Sequence, residues 1–444
     1  MKIAMISLGC PKNQCDADVL CRTLVEAGHT TVPDLALADM IIVNTCGFIE
    51  SAKQEAIENI LEACSYKQLN PALKVVVTGC LAQRYGEEIL KEIPECDAVV
   101  GIGANTAILE ILDRAEKGER VSALPDKELL PLTGKRVIST PSHYAYLKIA
   151  EGCSNRCHYC AIPLIRGPLR SRPMEDALEE ARWLAQQGVK ELIVVAQDIT
   201  AYGEDLTGKR CLPELLRRLE EVEGIVWIRL LYAYPERITD ELIQVMAQSK
   251  KIVPYIDLPI QHINTQMLKS MNRKGSRQTV LDAISKLRAA VPDICIRSTL
   301  ITGYPGETEE QFAQLCDFVK EYKIDRLGCF AYSQEEGTVA AAWENQVPEE
   351  VRQQRADHIM ELQADVMAQK QQALVGTLQR VICDELDAES GLWICRTRFD
   401  APEVDGVCCV HSEEPLVPGA FYDVRVTDSD IYDLYAEAEG GAAV

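Results

Sequence analysis

At 444 residues the chain is too long for one ordinary hydrophobic core, so two or three domains are expected. Its 47% hydrophobic content excludes general disorder, and its apolar runs are too short to cross a bilayer. A formal charge of −22, from 46 basic and 68 acidic residues, disfavours nucleic acid as a partner and favours a basic protein.

The chain opens with Lys2, a short apolar stretch and "SLGC", a pattern that brushes against a lipoprotein signal. Pro11–Lys12 follow at once, so a buried strand is expected instead, in a cytoplasmic protein without a membrane partner. The 18 cysteines are then reduced, which favours metal, cluster or catalytic roles for those with regular spacing. Cys64, Cys96, Cys211, Cys295, Cys316 and Cys329 lie in helical or strand patterns and read as small core residues.

From 1 to 120 strand and helix alternate. Strands near 2–8, 39–45, 73–79 and 97–101 are separated by helical text such as "CDADVLCRTLVEAG" and "SAKQEAIENILEACSYK". Such alternation predicts an α/β domain with a parallel sheet, whose ligands gather at the carboxyl ends of the strands. Three of these strands, in "KIAMISLGC", "ADMIIVNTC" and "LKVVVTGC", close on Cys10, Cys46 and Cys80. Neighbouring strands lie about 5 Å apart, so the three thiols are expected at one edge, where one small inorganic cluster could bind them all.

The weakly patterned "SALPDKELLPLTGKR" reads as a linker over 121–138. A second alternating block, 139–369, has strand candidates at 144–153, 191–198, 225–234, 252–261, 294–303 and 325–333. Six βα units predict a partial (βα)6 TIM-like barrel with its site at the C-terminal face. A long helix is expected over 348–376. Short strands with frequent turns then predict a small all-β barrel of five strands over 370–440.

"EGCSNRCHYCAIP" places Cys153, Cys157 and Cys160 in C-x3-C-x2-C spacing directly after the first strand of the second block. Thiolates are what iron–sulfur clusters require, and three rather than four leave one iron open for a substrate. Structural zinc wants four ligands, usually as paired C-x2-C units, and no second pair follows. His158 and Tyr159 are not needed as ligands, and loop packing is the expectation for both.

This spacing, with an aromatic before the last cysteine, resembles the radical S-adenosylmethionine superfamily. With the upstream three-cysteine domain and the terminal β-module, the whole chain resembles the radical S-adenosylmethionine methylthiotransferase family. The resemblance implies two 4Fe–4S clusters, one on Cys10, Cys46 and Cys80 and one on Cys153, Cys157 and Cys160, facing each other, and a C-terminal TRAM domain. It implies that S-adenosylmethionine binds the open iron and is split to a 5′-deoxyadenosyl radical, with an electron donor protein as partner. Gln197 and Asp198 after the second barrel strand, Gln261 after the fourth and Arg297 in the fifth are the candidate cofactor contacts. Tyr159 joins them by analogy. The superfamily's Gly-Gly-Glu text after the second strand is replaced here by "AQD". The "GYPGET" loop (303–308) is a further candidate or an ordinary strand–turn–helix junction; His262 reads as a satisfied rim histidine.

"LGCPKNQCDAD", "VVAQDITAYGEDL" and "DSDIYDLYAE" resemble the branch that modifies the β-carbon of an aspartate in small-subunit ribosomal protein twelve. Cys15 and Ala17 depart from that branch, leaving Cys15 either a fourth thiol near the first cluster or, as expected, a helix-packing residue. Charge points the same way. Residues 371–437 carry four basic residues (Arg380, Arg396, Arg398, Arg425) against fourteen acidic ones, net −10, which repels RNA and attracts a basic ribosomal protein. A transfer-RNA adenosine methylthiotransferase and a non-enzymatic iron–sulfur carrier are the competing readings.

Overall fold

Buried β-branched runs build the first sheet. β1 (Lys2–Ser7), β2 (Thr30–Thr31), β3 (Met40–Thr45), β4 (Lys74–Gly79), β5 (Ala98–Val100) and β6 (Val121–Ala123) pair in parallel in the order β2-β1-β3-β4-β5-β6. β3 is buried at every residue, as a parallel strand covered on both faces requires. Its alternate side chains feed two cores. Ile41 and Val43 meet Ala56 and Ile60 of α2 (Glu50–Ser65) and Leu81 of α3 (Cys80–Glu92). Met40 and Ile42 meet Leu20 and Leu24 of α1 (Pro11–Glu26) and Ile108 and Leu112 of α4 (Ile108–Glu116).

The computed structural model describes residues 1–439, so position 440, the expected end of the last module, lies outside them. The chain forms two compact units. One is Met1–Ser139 with Lys148–Arg172 and Ser333–Ala342; the other is Thr140–Leu147, Pro173–Tyr332 and Trp343 onward. The stretch expected as a linker, 121–138, lies within the first unit. It begins with the edge strand β6, and Arg136 is buried with its guanidinium 2.8 Å from Asp18 Oδ2 of α1. Its Pro and Gly content hid both features.

After β7 (Tyr144–Lys148), a short antiparallel pair, β8 (Ala150–Glu151) and β9 (Arg170–Ser171), brackets the cysteine loop and α5 (Ile162–Arg166) within the first unit. β10 (Glu191–Val195), β11 (Trp227–Leu230), β12 (Ile252–Asp257), β13 (Cys295–Thr302) and β14 (Arg326–Ala331) complete an open six-stranded sheet ordered β14-β13-β12-β11-β10-β7. β11 and β12 are shorter than expected. Tyr232, at φ +65, ends the first ladder; Pro259, which has no N–H, and Gln261, at φ +66, end the second.

The helix Glu349–Gln372 leads into a closed barrel, β15 (Leu378–Leu386), β16 (Trp393–Thr397), β17 (Cys408–His411), β18 (Phe421–Ser429) and β19 (Leu434–Ala438), ordered β15-β16-β17-β19-β18. The connection after β16 binds the amino-terminal ends of the six-stranded sheet. Arg229 Nη1 donates to Arg398 O (2.9 Å), Arg326 Nη2 to Asp400 Oδ1 (2.6 Å) and Tyr255 OH to Asp405 Oδ2 (2.6 Å). The buried Glu191 carboxylate accepts from Arg229 (2.7 Å) and Arg396 (2.5 Å).

Candidate functional site

Cys10, Cys46 and Cys80 stand just past the carboxyl ends of β1, β3 and β4, three successive strands in the sheet. Two glycines let the strand ends close up. At Gly9 (φ +94) a Cβ would lie 2.9 Å from Cys46 Cβ, and at Gly79 (φ +93) it would lie 2.5 Å from Thr45 O. Burial pushes the Cys80 thiol up to about 12, against the pull of the Arg166 charge. Burial also raises Cys46. At the half-buried Cys10 desolvation also acts upward, but the charges of Lys12 and Arg166, with backbone N–H bonds from Asn13 and Lys12, outweigh it and lower the thiol. A thiolate at Cys10 raises both of its neighbours, so the three sulfurs share one field.

Cys153, Cys157 and Cys160 occupy the loop between β8 and α5. Backbone bonds from Cys153 N to Gly167 O (3.0 Å) and from Cys160 N to Cys157 O (3.0 Å) fix its ends, and Ser154 Oγ accepts from Leu169 N (3.1 Å). Burial raises the Cys160 thiol, and negative charge on Cys157 and Cys153 adds to the effect.

The two sets of thiols meet through the residues that follow Cys160. Cys80 packs with Ala161 and Ile165 in one buried apolar contact. Arg166 Nη2 donates to Cys80 Sγ at 3.2 Å and to Asn13 Oδ1 at 3.0 Å. Its Nη1 donates to Asp16 Oδ2 (2.5 Å) and Glu151 Oε2 (2.9 Å), carboxylates that Lys148 also binds. Sequence reasoning missed this network. The signal was there, in a lysine inside the strand text "YAYLKIAEGC" and an arginine inside "AIPLIRGPL".

Among the described residues no three His, Cys, Asp or Glu side chains converge as a single metal ion requires. The fit to a larger group rests on the donor set: three sulfurs at adjacent strand ends, one already holding a cationic N–H donor. Such a set suits an iron–sulfur cluster.

The other predicted contacts divide. Gln197 and Gln261 are half-buried just beyond β10 and β12, and Tyr159 is half-buried beside Cys160. Asp198 caps a turn, accepting Thr200 N at 3.0 Å, with Arg237 Nη1 3.3 Å away. Arg297 pairs with Asp257 (2.9 Å) and Asp405 (3.6 Å). His262 is buried, accepting Asn264 N–H at Nδ1 (2.9 Å) and donating from Nε2 to Glu307 Oε1 (3.1 Å). Glu307 also binds Gly303 N (2.7 Å) and Arg355 (2.6 Å), and Thr308 caps the helix Glu309–Tyr322. The "GYPGET" segment is thus a tied strand–turn–helix junction. Cys15 is buried in the first unit with Arg136 Nη1 4.0 Å away, a helix-packing position.

Family models match the chain over residues 2–101 (Uncharacterized protein family UPF0004), 147–319 (Radical SAM superfamily) and 375–438 (TRAM domain). Ribosomal protein uS12 methylthiotransferase RimO of Desulfitobacterium hafniense is 48% identical over 438 residues, 98% of each chain. The protein of the same name from Clostridioides difficile is 47% identical over 442 residues, again 98% of each. The chain belongs to the ribosomal protein uS12 methylthiotransferase family. It is thereby a radical S-adenosylmethionine methylthiotransferase.

Solved structures share the fold of this methylthiotransferase at low identity. The radical S-adenosylmethionine methyltransferase TsrM from Kitasatospora setae aligns with a TM-score of 0.56 at 14% identity, over 74% of this chain and 72% of its own. The cobalamin-dependent radical enzyme OxsB aligns with a TM-score of 0.51 at 12% identity, over 81% and 56%. No helix among the described residues of this methylthiotransferase is long and apolar enough to cross a membrane.

Proposed function

We propose that this methylthiotransferase adds a methylthio group to the β-carbon of an aspartate in ribosomal protein uS12, using two 4Fe–4S clusters and S-adenosylmethionine. One observation carries the reading: two three-thiol sets lie in a single folded unit, joined through Cys80 and the segment that follows Cys160. Cys153, Cys157 and Cys160 would hold one cluster and leave an iron without a protein ligand; Cys10, Cys46 and Cys80 would hold the other. Together, cluster and S-adenosylmethionine supply a radical able to take hydrogen from an unactivated C–H that no side-chain base would deprotonate. A one-electron donor protein is a required partner.

The chain's own residues do the positioning. The backbone bonds at Cys153 and Cys160 hold the ligand loop in shape before loading. Gln197 and Gln261, half-buried beyond strand ends of the second unit, are the side chains we assign to S-adenosylmethionine, and Tyr159 is assigned to its adenine. Asp198 and Arg297, each fixed by its ion pairs, are assigned to the same cofactor as further contacts.

The TRAM module supports a protein substrate. Glu413, Glu414, Asp428, Asp430 and Glu437 are exposed on it. Three of its four arginines are neutralised: Arg396 by Glu191 and Asp384, Arg398 by Asp293 and Arg425 by Glu439. A surface of this kind offers little to a phosphate backbone and much to a lysine- and arginine-rich partner. The test is anaerobic turnover of reconstituted protein with a peptide from the uS12 target loop. A methylthio mass gain on the aspartate is expected. Methylthiolated transfer RNA in its place, or no product from protein loaded with both clusters, overturns the proposal.

A further inference from the structure

Four buried ionic groups close a ring inside the first unit. Lys148 bridges Asp16 and Glu151, and Arg166 bridges the same two carboxylates, every side chain being at most 8% exposed. Two cations face two carboxylates, so the ring is neutral. Buried pairs of this kind add little stability over an apolar replacement of the same shape, so what the ring supplies is geometry. Asp16 follows Cys10 on α1, Lys148 and Glu151 precede Cys153, and Arg166 follows Cys160 at the end of α5.

The ring occupies Nη1 of Arg166 and leaves Nη2 facing Asn13 Oδ1 (3.0 Å) and Cys80 Sγ (3.2 Å). Asn13 is itself clamped, its Nδ2 donating to Leu8 O (2.8 Å) and Thr45 O (3.3 Å), so its oxygen must face the guanidinium. A planar fork held at three points cannot swing, and the second N–H of Nη2 is aimed at sulfur.

We propose that Arg166 is a positioning residue for the N-terminal thiol site, orienting Cys80 through an N–H···S bond that raises the reduction potential of the iron–sulfur cluster carried there. The inference rests on Cys10, Cys46 and Cys80 being cluster ligands. Reduction adds negative charge to a cluster and its sulfurs. A fixed cationic donor on one sulfur therefore favours the reduced state. Lysine would keep the charge, yet its single ammonium cannot serve the two carboxylates, Asn13 and the sulfur in fixed directions at once.

The experiment uses a Cys153→Ala/Cys157→Ala/Cys160→Ala background, which leaves the N-terminal thiols as the only cluster ligands. Iron content and the midpoint potential, from EPR-monitored titration, are measured with Arg166 present and with Arg166→Met and Arg166→Lys. About four irons are expected in each. Arg166→Met is expected to lower the potential by at least a tenfold change in the oxidised-to-reduced ratio, about 59 mV for a one-electron couple. Arg166→Lys should shift it in the same direction by less. Four irons with an unchanged potential in both variants overturn this inference and leave the cluster reading standing. No iron in the background that retains Arg166 overturns both. If Arg166→Met does not fold, Arg166→Lys decides alone, and an unchanged potential there overturns the inference.

Discussion

Arg84 Nη1 lies 2.8 Å from Glu335 Oε2, across 251 residues of sequence, and Lys53 Nζ reaches the same oxygen at 3.2 Å. Arg84 stands on α3 four residues past Cys80, so this carboxylate ties the Ser333–Ala342 segment to the helix that begins at a candidate ligand. Glu335 is 2% exposed. Burial pushes its pKa up, but bonds from Ser333, Arg84 and Lys53 outweigh burial and hold it below the ordinary 4.5. A depressed carboxylate contributes stability that is fully present above the unfolded value and lost as pH falls through the folded one. Glu335→Gln is therefore expected to cost about 3 kcal/mol at neutral pH, with the gap to the wild type narrowing as pH drops below 4.5. Urea titrations at neutral and acid pH measure both effects, and a gap that widens on acidification contradicts the assignment.

The N-terminal thiols are tested by iron counting. Reconstituted wild-type protein should hold about eight irons and the Cys10→Ala/Cys46→Ala/Cys80→Ala variant about four. Full retention in that variant removes the second cluster from the scheme.

Replacing Cys153, Cys157 and Cys160 together with alanine should abolish 5′-deoxyadenosine formation under reducing anaerobic conditions. Chromatography of the quenched mixture measures it directly. Continued formation at the wild-type rate shows that the radical step does not depend on these three thiols.

Affinity for uS12 should fall as salt rises from about 0.05 to 0.5 M, because long-range attraction between exposed charges is screened within about 10 Å at 0.1 M. Titration calorimetry or fluorescence anisotropy across that range provides the slope. Affinity indifferent to salt is incompatible with docking through the acidic TRAM surface.

The strands that close on cysteine were legible because a parallel strand buried on both faces leaves an unbroken apolar run, and the residue after it falls at the carboxyl edge. Hence Cys10, Cys46 and Cys80 could be grouped from the amino-acid text alone. The C-x3-C-x2-C loop was equally plain, since its ligands are local in sequence. Asp16, Lys148, Glu151 and Arg166 were not legible as a set, because each is unremarkable in its own segment and only the fold closes the ring. The ion pairs of Asp198 and Arg297 were illegible for the same reason: a polar residue near a strand end shows its partner only in the tertiary structure. The edge strand β6 escaped because three residues flanked by loop text carry almost no periodicity.

The connection after β16 has a bearing on how this enzyme can be taken apart. Arg326 in the sheet pairs with Asp400, and the Glu191–Arg229 pair is joined by Arg396 at the end of β16 and by Arg398 O. The TRAM module, 375–438, is therefore no detachable cassette. A chain truncated before the TRAM module would leave Arg326 without Asp400 and Glu191 with one of its two arginines. Exchanging the module between relatives to alter target choice calls for grafting its outer strands while retaining the native inward-reaching turn.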